Sequence, residues 1–316
     1  MRNLKRTLSL LLAVVMVIGL MVVGAGAVSY NDFSDRGEIV NKDAVSMLTT
    51  LGIIEGKPDG SYAPTEGVDR AQMAKMISTI KNNGSDNGAL YENVNSGLTD
   101  IVNHWAKGHI NYCYTTGIIA GRGNGIFDPN AGVTGTEAAK MLLVAIGYDP
   151  QIEGLVGTDW EINTNALATR LGIYRNFTKD VTQALNRDDA ALLIYNALDV
   201  EMIQQYQNGY ALAYEDHRTI LSSVYGVIRV EGVVAGNEWA QLQQTDSDAA
   251  LREGRTTLED VVWYDSTTAN TRVEEGVEVT DPVTFNVSTP VEYMGKAVTL
   301  YVELSLIHIS EPTRHS

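Results

Sequence analysis

The sequence predicts a mainly α-helical domain of three helix-turn-helix repeats, followed by a small all-β domain. Three observations carry this. The stretch TTGIIAGRGNGIFDPNAGVTGTEAAKML, residues 115–142, echoes TLGIIEGKPDGSYAPTEGVDRAQMAKMI, residues 50–77. The same grammar returns more weakly between Ala166 and Ala197. Beyond Val224 the text turns into short valine-rich runs bounded by Gly, Asn, Asp and Pro, which read as strands. A supersecondary unit stated three times can close a core that one or two copies could not.

The segment from Met1 to Ala27 is set apart first. Arg2, Lys5 and Arg6 precede an apolar run from Leu8 to Val23, and Ala25-Gly26-Ala27 forms a small-residue cleavage site. This is the pattern of a secretory signal peptide, so the mature chain is expected to start at Val28. At the other end, LSLIHISEPTR, residues 304–314, can be back-translated into a string that resembles the transposase adapter of sequencing libraries. Residues 304–316 are therefore read as translated adapter, and the β domain as truncated near Glu303.

Without Arg2, Lys5, Arg6, Glu311 and Arg314, the 23 basic and 39 acidic residues become 19 and 38, a net charge of −19. Such a chain is not expected to bind nucleic acid, which needs clustered Lys and Arg. An anionic ligand would have to be held locally, against the global field. Cys113 is the single cysteine, so no internal disulfide can form, and it reads as a small buried hydrophobe.

The first two repeats are assigned to residues 28–82 and 83–150. Asp35 and Asp100 stand at matching distances before a glycine, Gly52 and Gly117 respectively, that opens G-I-I-x-G. The first helix carries Val45, Leu48 and Leu51 in one copy and Ile110 and Cys113 in the other, and the glycine ends it with a left-handed residue. The loops KPDGSYAP and RGNGIFDP are turn chemistry. Asp69 to Gln72 and Thr134 to Glu137 fit the capping box, in which the N-cap oxygen and the N3 side chain satisfy each other's amides. Met73, Met76, Ile77 and Ile80, like Ala138, Met141, Leu142 and Ala145, then follow at helical spacing and form one apolar face.

The third repeat, 151–205, runs through Gly172-Ile173 to a helix starting at Asn186-Arg187. Its loop is short: the span from Gly172 to Arg187 is three residues shorter than those from Gly52 to Arg70 and from Gly117 to Gly135. Residues 206–223 are expected as a polar connector with some helical character. VYGVIRVEGVVAGN, DVVWYD, VTFNV and AVTLYVEL supply the strands of the β-rich segment, 224–303.

The F-S-D at Phe33, T-D-I-V-N-H-W-A at Thr99 to Ala106, the two G-I-I-x-G turns, F-D-P at Phe127 and V-D-R-A-Q at Val68 together resemble the S-layer homology (SLH) domain, over residues 31 to 203. The resemblance implies a pseudo-trimer, a threefold spindle that binds secondary cell wall polysaccharide non-covalently, commonly through a pyruvate ketal. It implies a cell-wall location, with other S-layer subunits as further partners and no membrane span once the signal is removed. A ketal carboxylate calls for a planar cation, backbone amides and a sugar-stacking aromatic.

Under this resemblance Arg70 and Arg187, each at the first position of a capped helix, are expected to converge with the helix-start amides on an anion. Asp35 and Asp100 would accept sugar hydroxyls, Trp105 would stack on a ring, and Gly52, Gly56, Gly117 and Gly121 would let the backbone approach. Copy two has Gly135 where the arginine belongs. Copies one and three are read as lacking the tryptophan, with Val40 opposite Trp105, so fewer than three grooves are expected to work. Arg70 and Arg187 can also be read as surface ion pairs, Trp105 as core, and the aspartates as helix caps.

No H-E-x-x-H, G-x-S-x-G or C-x-x-C is present, and no catalytic residue, cofactor or metal site is assigned. The two other readings are the anchor of an envelope enzyme whose catalytic domain lies beyond Glu303, and an adhesion or spacer protein.

Overall fold

The computed structural model describes residues 17–20, 29–242, 250–264, 273–274, 277–278 and 281–303. The basic start and cleavage site of the export segment, and residues 304–316, lie outside the described residues. The chain forms two compact units, residues 23–225 and a second comprising residues 1–22 and 226–316.

The first unit holds eight helices among the described residues: α1 (Lys42–Thr50), α2 (Arg70–Lys81), α3 (Gly88–Tyr91), α4 (Lys107–Thr115), α5 (Gly135–Ile146), α6 (Trp160–Arg170), α7 (Arg187–Leu198) and α8 (Ile220–Tyr225). α1 and α2, α4 and α5, and α6 and α7 are the three repeats. Both expected capping boxes form, since Asp69 accepts from the Gln72 amide and Thr134 from the Glu137 amide, and Gln72 and Glu137 accept in return. Asn186 caps α7 in the same way, accepting from the Asp189 amide. Gly52, Gly117 and Gly172 end the first helices with φ of 70°, 76° and 78°, the left-handed turn that favours glycine.

The repeats do not pack as separate pairs. The second helix of each lies on the first helix of the next: α2 on α4, α5 on α6, and α7 back on α1. The backbone repeats this order. The Val68 amide donates to the Leu185 carbonyl, Leu185 to Val133, and Val133 to Val68, closing a cycle of three hydrogen bonds of 2.9, 2.9 and 3.0 Å. The apolar faces expected from periodicity turn into the core around this cycle; Met73, Ile77, Ala138, Leu142, Leu193 and Ile194 are all buried. Met76 departs from its face and lines a surface groove instead. Cys113 is fully buried, and burial pushes its thiol up to about 12, as an inert small hydrophobe requires.

The stretch expected as a connector is ordered structure. β2 (Ile203–Gln207) and β3 (Tyr210–Ala213) make an antiparallel hairpin, and α8 follows. The Tyr206 hydroxyl accepts from the Asp149 amide and donates to Glu153, which ties the hairpin to the turn after α5.

The second unit is a five-stranded sheet in the order β1-β9-β4-β5-β8: β1 (Val17–Leu20), β9 (Ala297–Glu303), β4 (Val227–Asn237), β5 (Thr256–Tyr264) and β8 (Val283–Phe285). β6 (Val273–Glu274) and β7 (Val277–Glu278) form a two-stranded ladder. β4 pairs antiparallel with both β5 and β9, and Ile228, Val230, Val234, Leu258, Trp263 and Phe285 form the core. Val17–Leu20, inside the expected export segment, pairs parallel with β9. Among the described residues no helix is long and apolar enough to cross a membrane.

Candidate functional site

The arginines come first, because their backbones decide what they can do. At the start of α2, the Arg70 amide donates to Ala131 O and the Ala71 amide to Pro129 O, at 3.0 Å each. At α7 the Arg187 amide donates to Glu66 O and the Asp188 amide to Pro64 O. The third free amide of each helix is taken by the N-cap side chain. The expected convergence of helix-start amides on a ligand is therefore corrected: a neighbouring repeat occupies them, as burial of backbone donors demands.

The guanidinium groups also serve the fold. Arg70 is 4% exposed; its Nε donates to Phe127 O at 3.0 Å and its Nη2 to Ala120 O at 2.8 Å, with the cation 4.5 Å from the Phe127 ring centre. Glu137 lies 3.6 Å from Arg70 Nη1 and 2.8 Å from Arg122 Nη1. Arg187 makes the same clamp on repeat one, from Nε to Tyr62 O at 2.7 Å and from Nη2 to Glu55 O at 2.9 Å, over the Tyr62 ring. It is only half-buried, and its Nη1 makes no hydrogen bond among the described residues.

Asp35 and Asp100 cap no α-helix; the hydrogen bonds they accept come from the loop of their own repeat. Asp35 accepts from the Tyr62 and Ala63 amides at 2.8 and 2.7 Å, and Asp100 from Phe127 and Asp128 at 3.0 and 2.7 Å, so both hold the loop on which the arginine clamps. Burial opposes ionisation of Asp100, but the Phe127 and Asp128 amides outweigh it and hold its carboxyl below the usual range. Gly56 and Gly121 are explained by close packing: a Cβ at Gly56 would stand 2.7 Å from the Phe33 ring, and one at Gly121 2.7 Å from Ile126 O.

One groove of about 220 Å³ gathers residues from all three repeats. Gly52, Glu55, Gly56 and Tyr62 come from the first loop, Gln72, Lys75, Met76 and Thr79 from α2, Gly84 and Asp86 from the following turn, Trp105 from repeat two and Arg187 from repeat three. Trp105 is 58% exposed, an aromatic face open to a ligand rather than core. Of the expected residues, Gly52, Gly56, Trp105 and Arg187 meet here. Asp35 lies behind the loop, while Arg70, Asp100, Gly117 and Gly121 belong to the equivalent junction one repeat on.

Sequence reasoning missed Lys75, Glu55 and Asp86. Lys75 lies 3.6 Å from Glu55 and 4.0 Å from Asp86, so the groove holds two cations and two carboxylate acceptors beside one indole. The signal was present, since Lys75 and Lys140 occupy the same place in their helices, one following Arg70 and the other Gly135 at equal spacing.

Copy three does have its tryptophan. Trp160 precedes Gly172 by the same spacing that separates Trp105 from Gly117, and Lys140 lies 4.9 Å above its ring. The second junction thus pairs Lys140 with Trp160, but its arginine is Arg70, buried and matched by Glu137. The third has Gly135, Leu192 and Val40 in the three places, with neither cation nor indole.

Two segments, residues 32–74 and 97–139, match the model of the S-layer homology domain. A "Cell surface protein" of Thermoanaerobacter kivui is 27% identical over 96% of this chain and 35% of its own length. An "S-layer protein" of Bacillus licheniformis is 31% identical over 38% of this chain and 13% of its own length. "Exoglucanase XynX" of Acetivibrio thermocellus is 28% identical over 55% of this chain and 16% of its own length. The chain thus spans about a third or less of the length of these relatives.

Proposed function

We propose, for a chain that belongs to the S-layer homology domain proteins of the bacterial cell surface, that the Trp105–Lys75–Arg187 groove anchors it non-covalently to an anionic cell wall polysaccharide. The observation that carries this is the convergence of two cations and an exposed indole in one groove of a chain whose net charge is −19 once its expected terminal segments are set aside. Cations so placed against the global charge are local machinery for an anion. The arginine presents Nη1 beside its structural clamp, the lysine adds a second charge, and the indole offers a stacking face for a sugar ring. A pyruvate ketal, a compact carboxylate fixed on a sugar, matches this combination.

The cycle of helix packing and backbone bonds supports a pseudo-trimer in which binding grooves arise at the junctions of repeats. The first groove is the main site. The second, where Lys140 and Trp160 stand beside an arginine neutralised by Glu137, holds a sugar more weakly, and the third holds none. The β-rich unit then serves lattice assembly or display. The segment shared with a relative named for exoglucanase activity supports the same anchoring role in proteins that carry an enzyme elsewhere.

The test is binding of the full chain to purified cell walls before and after selective removal of acid-labile ketals, with Lys75→Ala, Trp105→Ala and Arg187→Ala alongside. Loss of binding with the ketal and with each substitution is expected. Undiminished binding after ketal removal would overturn the carboxylate reading, and binding indifferent to all three substitutions would move the site out of this groove.

A further inference from the structure

Behind the groove a buried histidine is linked by hydrogen bonds and charge contacts to the lysine that lines it. His109, on α4, is 5% exposed. Its Nδ1 is 2.6 Å from the Ser78 hydroxyl of α2, and its Nε2 is 3.3 Å from Asp86 Oδ1, in the turn after α2. The Ser78 hydroxyl is also 2.9 Å from the Lys75 carbonyl. Asp86 Oδ2 is 4.0 Å from Lys75 Nζ in the groove. Ser78 is fully buried, so this arrangement of serine, histidine and aspartate can present no nucleophile to a substrate.

A neutral imidazole satisfies the core end of this array: Nδ1–H donates to the Ser78 hydroxyl, which donates to the Lys75 carbonyl. That tautomer leaves Nε2 without a hydrogen 3.3 Å from Asp86 Oδ1, a contact that becomes an ion pair when Nε2 takes up a proton. The charged groups facing the ring are Asp86 from the turn and Lys75 from α2. α3 presents only the backbone of Gly88, where a Cβ would stand 2.7 Å from Nε2. Burial holds the His109 pKa below its usual value, with Asp86 opposing this and Lys75 adding to it.

Resting on the groove reading above, we propose that anion capture in the groove is proton-linked through Ser78, His109 and Asp86. A proton taken up at His109 binds Asp86 to the imidazolium, removes the carboxylate's competition for Lys75, and adds one positive charge behind the anion. Linkage is reciprocal: the proton tightens the ligand, and the ligand raises the affinity of His109 for the proton by the same factor.

The test is the affinity of the full chain for purified cell walls at fixed ionic strength from mildly alkaline to mildly acidic pH. Wild type should bind about fivefold or more tightly on the acid side. His109→Gln should bind weakly with no such gain. Asp86→Asn, which removes the competing charge outright, should bind tightly and independently of pH. In wild type, saturation with a soluble wall-polysaccharide fragment should also raise the midpoint of the His109 ring titration by NMR. That readout stands even where a variant fails to fold. A flat wild-type profile, or the same slope in His109→Gln, overturns the linkage while leaving the groove intact. Absence of wall binding at every pH overturns both.

Discussion

Arg70→Ala separates the structural role of the helix-start arginines from the binding role expected of them. The side chain makes two hydrogen bonds to backbone carbonyls, Phe127 O at 3.0 Å and Ala120 O at 2.8 Å, from a site 4% exposed. Charge-assisted bonds of this kind contribute about 1.5 kcal/mol or more each, and the Phe127 ring under the cation adds about 1 kcal/mol. Truncation also leaves two carbonyls and part of the Glu137 charge without their partner. The expected loss is about 3–5 kcal/mol, a large fraction of the stability of a typical domain.

Urea unfolding followed by helical ellipticity reports the helical unit and measures this loss. Arg70→Lys should recover little of it, because an ammonium cannot reach both carbonyls as the planar fork does. Under conditions where the variant remains folded, wall binding should persist, since Arg70 is absent from the first groove, whereas Arg187→Ala should lose both stability and binding. A loss below about 1 kcal/mol for Arg70→Ala would refute the clamp.

Trp105→Ala should change stability by no more than about 0.5 kcal/mol, because the ring is 58% exposed, while wall affinity falls about fivefold or more. Gly56→Ala should destabilise by about 1–3 kcal/mol in the same urea assay, because its methyl would stand 2.7 Å from the buried Phe33 ring. His109 should make stability pH-dependent. Its folded pKa lies below the unfolded value of about 6.5, so the unfolded chain binds the proton more readily and stability falls as the pH drops below about 6.5. Comparing melting temperatures of wild type and His109→Gln across that range isolates this contribution; parallel profiles would contradict it.

What is legible in the sequence is local. Capping boxes need only a hydroxyl, carboxylate or amide three residues from its partner, and both form as expected. So do the left-handed glycines and the four strand runs. The helix-start amides escape sequence reasoning because their acceptors, Ala131 and Pro129 for α2 and Glu66 and Pro64 for α7, sit far along the chain and meet them only when the repeats close into a cycle. The groove is half legible for the same reason, since it draws together residues from Gly52 to Arg187. Trp160 is hidden because it lacks the H-W-A flanks of Trp105, although its distance from Gly172 identifies it. The hairpin at 203–213 reads as a connector because its strands are polar and only half-buried.

The cyclic packing explains a pairing that neither repeat reveals alone. In the second junction the Arg70 and Ala71 amides meet Ala131 and Pro129, in the loop that follows Gly117. In the next, the Gly135 and Thr136 amides meet Gln183 and Val181, which stand three residues closer to their own glycine, Gly172. The three residues missing from repeat three are therefore lost between Gly172 and Val181, in the loop that an arginine at 135 would clamp. The shortened chain passes where that side chain would go: a Cβ at Gly135 would lie 3.0 Å from both Val181 Cα and its carbonyl oxygen. Gly135 and the short loop are thus two halves of one change. Gly135→Arg alone should destabilise the helical unit by about 1–3 kcal/mol, as overpacking does. Inserting three residues between Tyr174 and Val181 alone should also destabilise, by opening space that nothing fills. Combined, the arginine gains loop carbonyls to clamp and the two losses should offset each other, with a coupling of about 1 kcal/mol or more in a double-mutant cycle read by urea unfolding. Strict additivity would mean that the missing arginine and the missing residues are unrelated.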